Sequence, residues 1–170
     1  MIQAVYTSDA IISTSADAFS LCERSNFGEK KEKAILYAPV EALFLAREQK
    51  LSLIVGNRKL SLNEIIAKLK KQDKKILTKS AVYNDLRRKG YIVKSALKFG
   101  AEFRVYEKGT RPGEGHARWI LYAARENEAL KWHDFAAKNR VAHSTKKNLL
   151  IAIVDDEGDV SYYECSWMRP

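Results

Sequence analysis

The sequence predicts an α+β fold in two small domains, and three observations carry that prediction. The chain has 170 residues, enough for one large core or two small ones. Its first half alternates short β-branched runs with stretches of helical periodicity. Beyond about residue 78 strand signals dominate, interrupted by a single helix, the pattern of an antiparallel or mixed sheet with helices packed on it. The expected layout is a mixed α/β structural and assembly domain over residues 1–77 and an α+β domain over residues 78–170.

Taken in order, "QAVYT" and "DAIIS" read as strands, and Ser15 can cap a helix from Asp17 to Arg24 that the region of Gly28 ends. "KAILYAP" is a strand whose Pro39 suits the first turn of the helix "VEALFLARE". "LSLIV" is a further strand. "SLNE", Ser61 to Glu64, is a capping box opening the helix "LNEIIAKLKKQ", with Leu62, Ile65, Ile66 and Leu69 at helical spacing. The helix "KSAVYNDLRRKG" shows Ala81, Val82 and Leu86 on one face and Gly90 as its stop. Strands follow at "YIVKSAL", "EFRVY" and "ARWILYAA", then a helix between Asn127 and Lys138. The strands "NLLIAIV" and "VSYYECSW" are joined by "DDEGD", a hairpin turn in which Gly158 is free to take positive φ.

Composition narrows the function. No apolar run approaches the roughly 20 residues of a bilayer crossing, and "MIQAVYTSDA" lacks a signal-peptide layout, so a cytoplasmic protein is expected. Cys22 and Cys165 are too few and too far apart for a disulfide framework or metal site. A formal charge of +9 favours a polyanionic partner, nucleic acid first, although a basic surface also serves solubility.

The stretch "YEKGTRPGEGHARWIL" hangs Tyr106 and His116 on the two sides of a Gly/Pro-rich excursion. No carboxylate cluster of the kind a metal nuclease needs lies near a Lys, and no nucleophile elbow occurs. Tyr, His and Lys remain, three groups that can move protons and neutralise an oxyanion with no cofactor. That trio suits cleavage of RNA by its own 2′-hydroxyl. An imidazole serves as acid near neutrality, a Lys as point charge, and a phenol as base if cations such as Arg104, Lys108 or Lys147 assist it. Taken singly, each has a plainer reading: a packing Tyr at a strand end, a loop His, a solvated "TKK".

The blocks "YNDLRRKGYIVKSALKFGAEFRVYEKG" and "RVAHSTKKNLLIAIVDDEGDVSYYE", with His116 between them, resemble the catalytic domain of archaeal tRNA-intron splicing endonucleases from about Ala81 onward. The first half is similar more loosely, chiefly in "YAPVEALFLARE". The resemblance implies Tyr106 as general base, His116 as general acid and Lys147 as stabiliser of the transition-state phosphate, with Lys146 a neighbour. It further implies that Arg140 and Trp167 stack on a bulge nucleotide, Trp167 being equally suited to core or dimer packing. Asp155, Asp156, Glu157 and Asp159 become an assembly loop that enters a basic groove of another subunit, the plainer reading being a solvated hairpin tip. The implied activity is cutting of precursor tRNA at bulge–helix–bulge sites without a metal, leaving 2′,3′-cyclic phosphate and 5′-hydroxyl ends. The implied assembly is a homotetramer, or a heterotetramer with a structural paralogue. Two alternatives stand beside it: a non-catalytic RNA-binding or assembly subunit, which would lack part of the Tyr/His/Lys set, and a DNA-binding module reading a groove with the "YNDLRRKG" helix.

Overall fold

The computed structural model describes residues 1–7 and 10–168; Asp9, the first residue of the predicted strand "DAIIS", lies outside the described residues. The chain divides into two compact units, Met1–Ser80 and Ala81–Pro170. The division falls inside a helix and not in a linker.

Unit 1 contains β1 (Ile2–Tyr6), β2 (Ile11–Ser13), α1 (Ala16–Ser25), β3 (Glu29–Lys31), β4 (Ala34–Tyr37), α2 (Pro39–Arg47), β5 (Leu51–Val55), β6 (Arg58–Lys59) and α3 (Leu62–Gln72). Its sheet runs in the order β3-β4-β2-β1-β5-β6, with β1 and β5 parallel and the other neighbours antiparallel. Sequence patterning does not foresee β3 and β6. Both are short, exposed, Lys- or Arg-bearing edge strands, whose polarity resists further pairing and also makes them look like loops.

Local chemistry explains the helix ends. Ser15 Oγ accepts the Ala18 N–H at 3.3 Å, as expected of an N-cap. Asn26, left-handed at φ 56°, ends α1 ahead of the anticipated Gly28. Gly28 instead permits a close approach: at φ +72° a Cβ there would lie 2.3 Å from Ile35 Cγ2. Its N–H donates to Glu41 Oε1 at 3.1 Å, while Glu41 Oε2 accepts the Ala38 N–H at 3.0 Å. The box opening α3 is formed, with Glu64 Oε2 accepting from the Ser61 N–H at 2.8 Å and Ser61 Oγ accepting from Glu64 N–H at 3.4 Å. Ile65 and Leu69 are buried, but Leu62, counted on the same face, is 40% exposed because it sits in the first turn beside the cap.

Unit 2 takes the end of α4 (Ile76–Arg88), then β7 (Ile92–Ser95), a 3₁₀ turn at Leu97–Phe99, β8 (Phe103–Tyr106), β9 (Trp119–Arg125), α5 (Trp132–Ser144), β10 (Asn148–Val154) and β11 (Val160–Cys165). Its sheet order is β11-β10-β9-β8-β7, antiparallel except for the central parallel pair β9 and β10, which α5 connects. α4 buries Val82, Tyr83 and Leu86, with Tyr83 tilted against Phe103 at 5.9 Å. Tyr162 Oη donates to Asp85 Oδ2 at 2.7 Å, tying α4 to β11. On the other face Ile120, Tyr122 and Leu149 pack with Ala142 of α5.

α5 corrects the expectation from sequence. The helix begins at Trp132, not near Asn127, and runs past Lys138 to Ser144, so the "RVAHS" block is helical. Glu126 N–H bonds Val154 O at 3.0 Å and Glu128 N–H bonds Arg125 O at 2.9 Å, so the chain first turns off β9. Lys131 caps without any side-chain bond, so no Ser, Thr, Asp or Asn marks the start. The "DDEGD" hairpin closes through Asp155 N–H to Asp159 O at 3.1 Å, with Gly158 at φ +94°. Among the described residues no helix is long and apolar enough to cross a membrane.

Candidate active site

Strand directions decide which residues meet. β8 runs antiparallel to β9, and β10 parallel to it, so the C-terminus of β8 and the N-termini of β9 and β10 share one sheet end. Tyr106 is the last residue of β8, and Lys147 immediately precedes β10. Val105 and Asn148 both stand opposite Trp119, and one residue further along sets Tyr106, Arg118 and Lys147 in one cross-strand row. The Asn148 N–H to Arg118 O bond at 2.9 Å and the Arg118 N–H to Val105 O bond at 3.0 Å hold it. Two strand spacings separate the backbones of Tyr106 and Lys147, about 10 Å, within reach of two long side chains.

Tyr106 is 4% exposed, and its hydroxyl makes no hydrogen bond among the described residues. The Tyr37 hydroxyl also lacks a partner but is sealed from solvent, whereas the Tyr106 oxygen is not among the sealed atoms. His116 stands exposed on the loop between β8 and β9. That loop folds back through two turns, Thr110 N–H to Glu107 O at 3.0 Å and Glu114 N–H to Arg111 O at 3.1 Å. A Cβ on Gly115 would lie 2.6 Å from Thr110 Cγ2, so a larger residue there would push the Thr110 side chain aside. The excursion therefore returns His116 to the sheet end from which Tyr106 left.

Lys147 is delivered by the end of α5. Lys146 N–H bonds His143 O at 3.0 Å, Lys147 N–H bonds Ala142 O at 2.9 Å, and Lys146 is left-handed at φ 55°. This is a Schellman motif with Lys146 at the position usually given to Gly. The Lys147 ammonium donates to Thr145 O at 2.8 Å and lies 5.8 Å from the Phe99 ring centre.

Sequence reasoning missed the group beneath this row. Glu164 of β11 accepts from Trp119 Nε1 at 2.5 Å and from Asn148 Nδ2 at 2.8 Å, and Arg118 lies 3.9 Å away. Arg118 also pairs with Glu107, the residue after Tyr106, closing the base of the loop. One carboxylate thus anchors the residue after Lys147 and the first residue of β9. Its partners are 45 and 16 residues away in sequence, so no local signal marks it.

Arg140 and Trp167 line one cavity of about 650 Å³, together with Phe135, Asn139, His143 and Ser144. Tyr106, His116 and Lys147 are not part of its wall; Ser144, three residues before Lys147, is the wall residue nearest to it in the chain. Trp167 meets His143 edge to face at 4.6 Å yet stays 52% exposed, leaving ring surface open. At the other end of β10 the hairpin acids Asp156, Glu157 and Asp159 are exposed and Asp155 is partly so. Asp156 pairs with Arg125 at 2.8 Å, and Asp155 Oδ1 accepts the Asp159 N–H at 2.8 Å.

Known proteins match both units in sequence. The family model for the tRNA intron endonuclease catalytic C-terminal domain matches residues 76–162, and that for the N-terminal domain of the same family matches residues 2–66. This chain belongs to the tRNA intron endonuclease family. It is similar to the tRNA-splicing endonuclease of Thermococcus kodakarensis, 39% identical over 170 residues, covering 99% of each chain. The tRNA-splicing endonuclease of Pyrococcus furiosus is 40% identical over 143 residues, covering 84% of this chain and 82% of its own. The one from Methanothermobacter thermautotrophicus is 39% identical over 147 residues, covering 86% and 85%. Within the tRNA intron endonuclease frame, Tyr106, His116, Arg140, Lys147 and the acidic hairpin fall inside the matched catalytic domain, while Glu164 and Trp167 lie just beyond it.

Proposed function

We propose that this chain is an endoribonuclease that excises introns from precursor tRNA, cutting at bulge–helix–bulge sites without a metal ion. The observation that carries the reading is the meeting at one sheet end of Tyr106 closing β8, the loop that brings His116 back to β9, and Lys147 just ahead of β10. Each group suits one step in attack by the RNA's own 2′-oxygen. Tyr106, acting as the phenolate, takes the proton of the 2′-hydroxyl and becomes the phenol as that 2′-oxygen bonds to phosphorus. His116, acting as the imidazolium, gives a proton to the 5′-oxygen as its bond to phosphorus breaks and is left as the imidazole. Lys147 faces the non-bridging oxygens, where charge accumulates. The products are a 2′,3′-cyclic phosphate and a 5′-hydroxyl, and the protons balance between the two side chains.

A phenol held in a nearly buried position, with its oxygen neither bonded nor sealed off, supports the assignment of Tyr106, because buried polar groups are ordinarily satisfied. Arg140 and Trp167, on one wall, receive an unpaired base by stacking and cation–π contact. Shape and unpaired bases, not linear sequence, select the RNA. The acidic hairpin docks in a basic groove of another subunit to give a tetramer, either four identical chains or two catalytic chains with two of a structural paralogue. The test is cleavage of a bulge–helix–bulge RNA in EDTA, with the ends identified by mass spectrometry and the assembly by its solution mass. Cyclic phosphate ends with EDTA present are expected. Dependence on added Mg²⁺, or 3′-hydroxyl ends, would remove the mechanism.

A further inference from the structure

The charge of unit 1 is concentrated in one place. Residues 1–57 carry six Lys and Arg against seven Asp and Glu, whereas residues 58–75 carry seven against two. Both acids of the second segment are engaged, Glu64 with Arg58 and Asp73 with Lys79, each at 2.7 Å. Lys59, Lys70, Lys71 and Lys74 are exposed, and none is paired with a carboxylate among the described residues.

Their placement makes a strip. β6 contributes Arg58 and Lys59, and α3 contributes Lys68 and Lys71 on one flank, separated by about one turn. Between them runs a groove of about 330 Å³ lined by Val55, Leu60 and Ala67 and by Arg58, Lys68 and Lys71, with Glu64 as its one acid among the described residues, paired to Arg58. Lys68 Nζ sits 4.6 Å from the centre of the Tyr6 ring, which holds that ammonium in place. Lys74 extends the strip past the end of α3.

We propose that this β6–α3 strip is a second RNA-binding surface, which grips phosphates of the tRNA body away from the scissile bond. The proposal rests on the endonuclease reading for the identity of the RNA, not for its chemistry. Ammonium groups without a carboxylate partner among the described residues, spread over β6, α3 and Lys74 beyond it, fit a polymer that carries a charge on every repeat. The rival occupant, the acidic hairpin of a second chain, is a five-residue tip that offers its charge at one point, whereas the basic residues here are spread over β6, α3 and the residues beyond it. Contacts of this kind add affinity without reading sequence.

The experiment uses the full chain carrying Lys59→Gln, Lys71→Gln and Lys74→Gln together, glutamine being close to lysine in helix propensity. Binding of intron-free tRNA is read by fluorescence anisotropy over a salt series, alongside cleavage of precursor tRNA and of a short bulge–helix–bulge duplex. Affinity for intron-free tRNA should fall about tenfold or more, and the slope of log affinity against log salt should shrink by about two. KM for precursor tRNA should rise with kcat unchanged, and the short duplex should be cut as before. Unchanged affinity and slope overturn the proposal, as does a fall in assembled mass, which makes the strip a seat for another protein chain. If wild-type protein fails to cut but the binding shift is found, the catalytic reading falls and the strip stands.

Discussion

Glu41 in unit 1 and Tyr106 in unit 2 are almost equally buried, at 3% and 4% exposure, and the fold uses them in opposite ways. Both Glu41 oxygens accept backbone N–H groups, one from Gly28 and one from Ala38, so the carboxylate fixes the path of the chain into α2. The Tyr106 hydroxyl bonds nothing among the described residues. The same contrast holds between Glu64, locked into the cap of α3, and His116, exposed on its loop. A polar group that the fold has consumed is structural; one that the fold holds in place and leaves idle is available to a substrate.

That contrast makes predictions that run from chemistry to stability. The largest effects belong to idle His116 and to Lys147, whose ammonium bonds only the Thr145 carbonyl of its own turn among the described residues. His116→Ala should slow cleavage by about 10²–10⁴ with binding and melting temperature nearly unchanged. Lys147→Ala should lose about 10²–10³ in kcat. Single-turnover kinetics check both, and full activity in either variant breaks the contrast. Next comes the consumed group: Glu41→Ala strands two backbone donors and should cost about 2–4 kcal/mol of stability by urea unfolding, with cleavage per folded molecule retained.

Ser61→Ala should cost about 1 kcal/mol as a lost cap. Glu64 is held below the usual carboxylate range by hydrogen bonds from the Ser61 backbone, then from the Ser61 hydroxyl and Arg58. A depressed carboxylate stabilises the fold above its ordinary value, and that contribution disappears as pH falls through the lower folded value. Losing the hydroxyl should therefore make the decline in stability towards acid shallower, which pH-dependent urea titrations measure. The smallest effect runs the other way. Lys146→Gly relieves a left-handed non-glycine residue and should gain about 0.5–1 kcal/mol while cleavage persists. A loss of cleavage as large as that of Lys147→Ala would give Lys146 a chemical role.

Much of the fold was legible because local rules and burial agreed. The capping box and the apolar spacing give α3 its bounds, and an unbroken apolar run gives β10 its bounds. Where the two parted, sequence patterning misled. α5 starts without a side-chain cap and ends on Lys146, so neither boundary carries its usual residue. The edge strands β3 and β6 lack apolar residues to betray them. In the candidate site, Tyr106 and His116 were legible because one short segment holds both. Glu164 was not, because its role exists only after β9, β10 and β11 are side by side.

The parallel pairing of β9 and β10 also sets a schedule. Parallel neighbours cannot form by a tight hairpin; the chain must first complete α5 and swing back across the sheet. On the ribosome, a nascent chain that ends between His116 and Asn148 carries the phenol and the imidazole but has no β10 beside β9 to seat the amine. On the mechanism proposed above, an unfinished molecule is thus inert towards the RNA around it, and the capacity to cut arrives only with the last stretch of synthesis.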